Sequence, residues 1–479
     1  MVPDKEELER ILSVQRKAFL LEDDVSVAVR RSRVSRMALG LLENFDSIAN
    51  AQSVDYGNRP PFLTKAFEAV SWAEDIQKTL DSLEEWMAPT EIEGGYIQQK
   101  PKGVVGILGA WNFPITLAFE PAMAALAAGN RVMVNFSEFH PKTGEILAKI
   151  FADRFPEDEV AVIHGDLETA QSFSELHFDH LFFTGSPKVG SVVSQAAARN
   201  LVPVTLELGG KNPVVVARDA DLEMAARRIA STRALNGGQI CLCPDYVFVP
   251  RESTEEFVDK ITAQFASFFP DYLENPNVVP IINERNFDRV TGLIDDAVAK
   301  GARKITVTSE QEAARLPDRK TRRIPPVILL DVPETAKISD EEIFGPALVI
   351  HVYDTLDEVI EYVNTRPSPL AAYWYGEDSA DFKRFLEMTT SGGVTRNDGL
   401  VHALLPGAPF GGIGRSGQGA YHGKAGFDTF THRRAVANVT RPKGIAEDFV
   451  NGTLASAEFQ LAIDGAISTS IERFREYAS

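Results

Sequence analysis

From Val104 onward the chain alternates short apolar runs with helical stretches, and no other feature of the sequence constrains its fold as strongly. Val104–Gly109 reads as a buried strand, and Pro121–Ala128 as a small-residue helix ended by Gly129. Arg131–Val134 is the next strand and Pro141–Phe155 the next helix. Val160–His164 and His180–Phe183 are strands flanking a short helix, and Lys188–Ala198 is again helical. Such alternation is met by a parallel sheet covered by helices on both faces. After Glu207 the pattern restarts, with strands at Pro213–Ala217 and Tyr246–Val249 and helices at Leu222–Leu235 and Glu255–Phe268. Two successive α/β units imply two domains. Ligands in such folds lie beyond the carboxyl ends of the strands, often at the domain junction.

The segment before Val104 differs. Leu8, Ile11 and Leu12 share one helical face. Val34, Met37, Ala38, Leu41, Leu42, Phe45 and Ile48 follow the i, i+3, i+4, i+7 rule, which predicts helix through 34–48. DYGNRPP at 55–61 is a break. A further helical segment runs to about Trp86, and Ala88–Gly103 reads as an exposed β arm. Beyond Pro442 the chain is polar enough for the surface, with an amphipathic helix marked by Phe459, Leu461, Ile463, Ile467 and Ile471.

Four segments carry candidate chemistry. In Gly237-Gly238-Gln239-Ile240-Cys241 the glycine pair permits a tight turn and leaves N–H groups free beside a thiol that could attack a carbonyl. The same pattern suits a buried structural thiol. Glu207-Leu208-Gly209-Gly210-Lys211 follows the apolar run Val202–Leu206, so Glu207 reads either as a general base at a strand end or as a solvated turn residue. Trp111-Asn112-Phe113-Pro114 ends a buried strand, where an Asn amide could donate to an oxyanion or hold a turn. Thr184-Gly185-Ser186-Pro187-Lys188-Val189-Gly190 leads from a strand into a helix whose N-terminus suits a phosphate or needs only a Ser cap.

Composition excludes several classes. A formal net charge of −19 disfavours nucleic-acid and anionic-membrane partners. Cys241 and Cys243 are the only cysteines, two positions apart, which is poor spacing for a disulfide and fits a reducing, cytoplasmic setting. The charged start MVPDKEELER shows no secretory signal, and no apolar run approaches the roughly 20 residues of a membrane span. None of the eight histidines has metal-ligand spacing, so no metal is expected; GxSxG and Walker sequences are absent too.

Taken together, GAWNFP (109–114), FTGSPKVG (183–190), LELGGKNP (206–213), GGQICLCPDY (237–246) and EEIFGP (341–346) resemble the aldehyde dehydrogenase superfamily, in the family's order, over roughly 30–440. The 34-residue interval from Glu207 to Cys241 is also the family's. GGVTRND (392–398) and PFGGIGRSGQGAYHGKAGFDTFTH (409–432) look like the dimeric branch that takes aromatic and fatty aldehydes, and NLVPVTLELGGK (200–211) and IINERNFDRV (281–290) are most similar to bacterial coniferyl aldehyde dehydrogenases.

The resemblance implies NAD-dependent, or NADP-dependent, oxidation of an aldehyde through a thioester on Cys241. Asn112 and the Cys241 backbone N–H would form the oxyanion hole, and Glu207 would activate water. Gly185 and Ser186 would face the pyrophosphate, Glu138 the adenosine ribose, and Glu342 and Phe344 the nicotinamide ribose and ring, with Gly190, Trp111 and Asn135 also at the cofactor. Phe113, Leu117, Leu235 and Leu242 would line a tunnel for a flat or long apolar aldehyde. One departure stands out: Asn135 occupies the position of the family's lysine near the adenosine ribose, which implies NAD over NADP and weaker binding.

The implied fold is α/β, with a Rossmann-like cofactor domain (1–87 and 103–206), an α/β catalytic domain (207–412), a small β oligomerisation arm (88–102 and 428–442) that would make a homodimer, and a tail (443–479) without an apolar anchor. Two other readings stand beside this one. Acylation of coenzyme A is disfavoured by Glu207, and a retired structural or binding role by the joint retention of Cys241, Glu207 and Asn112.

Overall fold

The computed structural model describes residues 3–438, 440 and 444–478. Two compact units are present: one comprises the residues up to Ala88 together with Gln99–His432, the other Pro89–Gln98 and the residues from Arg433 onward.

The larger unit is built on two sheets. The first has six strands in the order Gly417–Gln418, Val204–Leu208, His180–Gly185, Val104–Leu108, Arg131–Phe136, Val160–His164. All run parallel except the short Gly417–Gln418 edge. Val104–Leu108 and Arg131–Phe136 are buried at every position, as strands between two helical layers must be. Strand order reverses between Val104–Leu108 and His180–Gly185, which opens a crevice at their carboxyl ends. The second sheet has seven strands, ordered Arg303–Thr306, Val327–Leu330, Ala347–Tyr353, Pro244–Pro250, Asn212–Val216, Ala371–Tyr375, Gly393–Arg396, with only the first antiparallel.

Helix starts follow local chemistry. Asp4, Ser26, Ser186, Asp221 and Asn283 each accept a backbone N–H of the first turn. Pro114, Pro141 and Pro187 open their helices, where a missing N–H costs nothing.

Three sequence expectations need correction. The helix expected through 34–48 is two, Val27–Leu42 and Phe45–Tyr56, because Asn44 leaves helical geometry and its side-chain amide donates to the Gly40 carbonyl at 2.9 Å. The helix expected from Pro121 begins at Pro114; Pro121 sits inside it and forgoes one backbone bond. The strand expected at 202–206 is Val204–Leu208, so Glu207 lies within it rather than after it.

A third sheet has three strands: Thr90–Ile92 and Gly95–Pro101 form a hairpin, and Thr431–Ala437 is the next strand. Val439 and residues 441–443 of the expected arm and tail lie outside the described residues. The expected C-terminal helix is Ala457–Ala478, with Ile463, Ile467, Ile471 and Phe474 along one face; Leu461 points away from that face. Among the described residues no helix is long and apolar enough to cross a membrane.

Candidate active site

The thiol segment follows three consecutive residues in left-handed geometry, Asn236, Gly237 and Gly238, at φ 52°, 63° and 74°. Space as well as φ demands the glycines. A Cβ on Gly237 would lie 2.7 Å from the Val279 carbonyl oxygen, and one on Gly238 2.3 Å from that of Gly345. Cys241 emerges half-buried, and its carbonyl accepts Asn212 Nδ2 at 2.7 Å. The same amide donates to the Cys243 carbonyl at 2.9 Å, while Asn212 Oδ1 accepts the Ala371 N–H, so Asn212 clamps the 241–243 turn to the second sheet. Cys243 is a different kind of thiol. It is buried, donates to the Thr232 carbonyl at 3.3 Å, and is pushed up to about 11 by burial.

Asn112 ends the loop after Val104–Leu108 and is 4% exposed. Its Nδ2 donates to the Gln239 carbonyl at 3.3 Å, which sets the amide beside the Cys241 turn. Glu207 is 3% exposed, and neither of its oxygens has a partner among the described residues. Burial raises it well above the usual carboxylate range. Cys241 is raised by burial first, then by the carboxylates of Glu342 and Glu207, so the three groups share one electrostatic neighbourhood.

Glu342 is pushed up to about 8, chiefly by burial and then by Asp245. It lies directly over Gly209: a Cβ there would fall 2.1 Å from Glu342 Oε2. The segment around it is held on both sides. Arg289 donates to the Glu342 and Ile343 carbonyls at 3.0 and 2.8 Å, Ile343 N–H donates to Asp245 Oδ2 at 2.9 Å, and Lys211 is ion-paired with Asp245 and donates to the Glu341 carbonyl at 3.2 Å. Phe344 takes φ 48° and meets Trp111 edge-on, ring centroids 5.3 Å apart.

The remaining expected residues divide. Gly185 and the exposed Ser186 sit at the carboxyl end of His180–Gly185, and Ser186 caps Pro187–Ala198, a polarity that favours a phosphate. The buried Thr184 hydroxyl and Asn135 Oδ1 find no partner among the described residues, as suits polar atoms that a dinucleotide would satisfy. Glu138 is half-buried just past the end of Arg131–Phe136. Gly190 faces Leu208, whose Cδ2 a Cβ would meet at 2.5 Å, so its bareness serves helix-to-strand packing. Phe113 and Leu235 are half-buried, whereas Leu117 and Leu242 are buried, Leu242 within the main core. Among the described residues no cluster of His, Cys, Asp and Glu could hold a metal ion.

Sequence reasoning missed the residues behind these side chains: Asn212, Asp245 and Arg289, Phe67 with its ring 6.2 Å from Phe113, and the buried set Tyr56, Arg59 and Glu68 beneath Asn112. Asn212 and Asp245 lie inside quoted motifs, but nothing local marks them as clamps.

The model of the aldehyde dehydrogenase family matches residues 2–436. A probable coniferyl aldehyde dehydrogenase of Caulobacter vibrioides is 44% identical over 89% of this chain and 90% of its own length. A coniferyl aldehyde dehydrogenase of a Pseudomonas species is 42% identical over 90% of each. Among solved structures, a Mycobacterium tuberculosis aldehyde dehydrogenase complexed with NAD+ superposes with TM-score 0.81 at 26% identity, covering 93% of this chain and 92% of that one.

Proposed function

The chain belongs to the aldehyde dehydrogenase family, and from that premise we propose the residues that carry its reaction, its substrate class and its assembly. Its activity is the NAD(P)-dependent oxidation of an aldehyde to the carboxylic acid. In this reading Cys241 is the nucleophile. Its sulfur bonds to the aldehyde carbon as the thiol gives its proton to water, and the carbonyl oxygen becomes an oxyanion received by Asn112 Nδ2 and the Cys241 backbone N–H. A bound nicotinamide dinucleotide supplies the hydride acceptor. What stays on the protein is a thioester. Glu207 takes a proton from water, the resulting hydroxide attacks the thioester carbon, the C–S bond breaks as the sulfur takes that proton back from Glu207, and the acid leaves with the Cys241 thiol restored.

The observation that carries this reading is Glu207: a buried carboxyl with neither oxygen partnered among the described residues, in the electrostatic neighbourhood of the Cys241 thiol. Gly185 and Ser186 would hold the pyrophosphate, Glu138 the adenosine ribose, and Glu342 and Phe344, braced on Trp111, the nicotinamide end. We assign 1–87 with 103–206 to cofactor binding, 207–412 to catalysis, 88–102 with 428–442 to a homodimer arm and 443–479 to a tail, in a cytoplasmic enzyme.

The substrate we propose is a flat aromatic aldehyde of the coniferaldehyde type. The names of the two relatives support it, as do the half-buried Phe113, Leu235 and Phe67 near the thiol segment. Burial of apolar ring area contributes about 25 cal/mol per Å². Steady-state assays with coniferaldehyde, cinnamaldehyde, benzaldehyde and acetaldehyde, with NAD+ or NADP+, test this. The expected order places the aromatic aldehydes first in kcat/KM, with free acid as product even when coenzyme A is present. A preference for acetaldehyde or for a charged semialdehyde overturns the substrate reading.

A further inference from the structure

Beneath Asn112 lies a polar set that no motif marks. Arg59 and Glu68 are both fully buried and form an ion pair at 2.8 Å. Arg59 Nη1 also donates to the Asn112 carbonyl at 3.1 Å. Two more donors reach that oxygen: the Tyr56 hydroxyl at 3.0 Å and Asn236 Nδ2 at 3.3 Å. Glu68 is itself committed. Gln52 Nε2 donates to its Oε1 at 2.6 Å, and the Ile115 N–H to its Oε2 at 2.7 Å. Glu68 sits in a single π-helical turn, Ala66–Val70, an irregularity often found at functional sites. The guanidinium lies 4.8 Å from the centre of the Phe113 ring and 5.1 Å from that of Tyr56.

A backbone carbonyl in a loop needs one partner, and this one has three. Both residues flanking Asn112 are held as well. His140 Nε2–H donates to the Trp111 carbonyl at 2.7 Å, and the Phe113 ring packs on the guanidinium. A buried ion pair is weak evidence for stability, since well-packed apolar residues often replace one without loss. Its location is the telling feature: both charges bond to backbone within three residues of Asn112.

We infer that Arg59 and Glu68, with Tyr56, are positioning residues that fix the Asn112 backbone so that its side-chain amide points at the forming oxyanion. They touch neither substrate nor thiol; they act through Asn112. The inference rests on the reading of Asn112 as oxyanion donor, and a double-mutant cycle separates the two.

The assay is acylation of Cys241 by 4-nitrophenyl acetate, which needs no dinucleotide. The sulfur bonds to the acetyl carbon, the C–O bond breaks, and nitrophenolate leaves. Asn112→Ala is expected to slow acylation roughly 100-fold, the usual cost of one oxyanion donor. Arg59→Met is expected to slow it ~10- to 100-fold, since displacements near 1 Å cost up to that much. Arg59→Lys should fall between, and Tyr56→Phe, nearly isosteric, should cost several-fold. KM for the ester should stay near wild type throughout. In the Asn112→Ala background, Arg59→Met and Tyr56→Phe should each cost less than about 3-fold more, because coupled residues are not additive. If Arg59→Met does not fold, Tyr56→Phe and Arg59→Lys carry the same cycle. Effects that multiply fully with Asn112→Ala, or folded Arg59 and Tyr56 variants with wild-type acylation, overturn the positioning inference alone. Wild-type acylation in Asn112→Ala overturns the oxyanion reading and this inference with it.

Discussion

Adding one methyl group at Gly209 should disable the site without unfolding the protein. Gly209 does not use left-handed backbone, so alanine fits its conformation, and Gly→Ala at a compatible position is neutral or stabilising by up to about 1 kcal/mol. The space is another matter. The new Cβ would stand 2.1 Å from Glu342 Oε2 and 2.8 Å from its Cδ. Ordinary contact begins near 3.4 Å, so the carboxylate must retreat by more than 1 Å. It has room to do so, because it is the far end of a half-buried flexible side chain. The cost therefore falls on position rather than on folding. A 1 Å misplacement near reacting groups costs on the order of 100-fold, about 2.8 kcal/mol at 1.4 kcal/mol per decade.

Steady-state oxidation of an aromatic aldehyde and a thermal melt decide the matter together. The expectation for Gly209→Ala is a melting temperature within about 2 °C of wild type and kcat/KM down roughly 100-fold. Adding Gly209→Ala to Glu342→Ala should cost nothing further. Wild-type kcat/KM in folded Gly209→Ala would refute the reasoning, since it would mean that the placement of Glu342 against Gly209 has no role.

Four further outcomes are expected. Cys241→Ser should abolish activity while Cys243→Ser retains most of it, because the Cys243 thiol is buried and bonded to Thr232; a dead Cys243→Ser reverses the assignment. Glu207→Gln should give a rapid-quench burst of reduced cofactor followed by slow turnover, and unchanged steady turnover would remove Glu207 from water activation. Glu342 has a raised folded-state pKa, so its stabilising contribution is complete below the unfolded value of 4.5 and is lost as pH rises through about 8. Glu342→Gln should therefore gain thermal stability relative to wild type across that window, and parallel melting curves against pH would contradict this. Asn135→Lys should tighten NAD+ about tenfold and NADP+ by more in calorimetric titration, from a charged donor worth roughly 1.5–3 kcal/mol; no gain for either cofactor means that the buried Asn135 amide does not face the ribose.

What was legible in the sequence was what is local. The strand and helix alternation follows from continuous apolar runs, and every parallel strand of the first sheet was anticipated to within two residues, while its short antiparallel edge Gly417–Gln418 was not. The turn before Cys241 was legible because glycine is the residue such backbone requires. Helix interruptions were not. Asn44 breaks a periodic stretch through one side-chain bond to Gly40, and Pro121 mimics a helix start from inside a helix. The supports of the site were invisible for a different reason. Arg59 reaches Asn112 across 53 positions and Arg289 reaches Glu342 across 53, and no periodicity links such pairs. DYGNRPP, read only as a break, contains Tyr56 and Arg59, and glycine and proline punctuation gave no hint that the break folds under the Asn112 loop.

Cys241, Glu207 and Glu342 share one poorly solvated pocket, and the two carboxyls raise the cost of ionising the thiol. Burial alone favours the neutral form of all three, and the charges of Glu342 and Glu207 push the Cys241 thiol higher still. An oxyanion formed at Cys241 would stand beside those two carboxyls. In the proposed reaction, that gives the Asn112 amide and the Cys241 backbone N–H their weight: beside two acids, neutral dipoles held in fixed directions are what would receive a negative oxygen. Such dipoles work only if they do not turn. The three donors on the Asn112 carbonyl and the Asn212 clamp on the Cys241 and Cys243 carbonyls fix the two backbones from which those dipoles project.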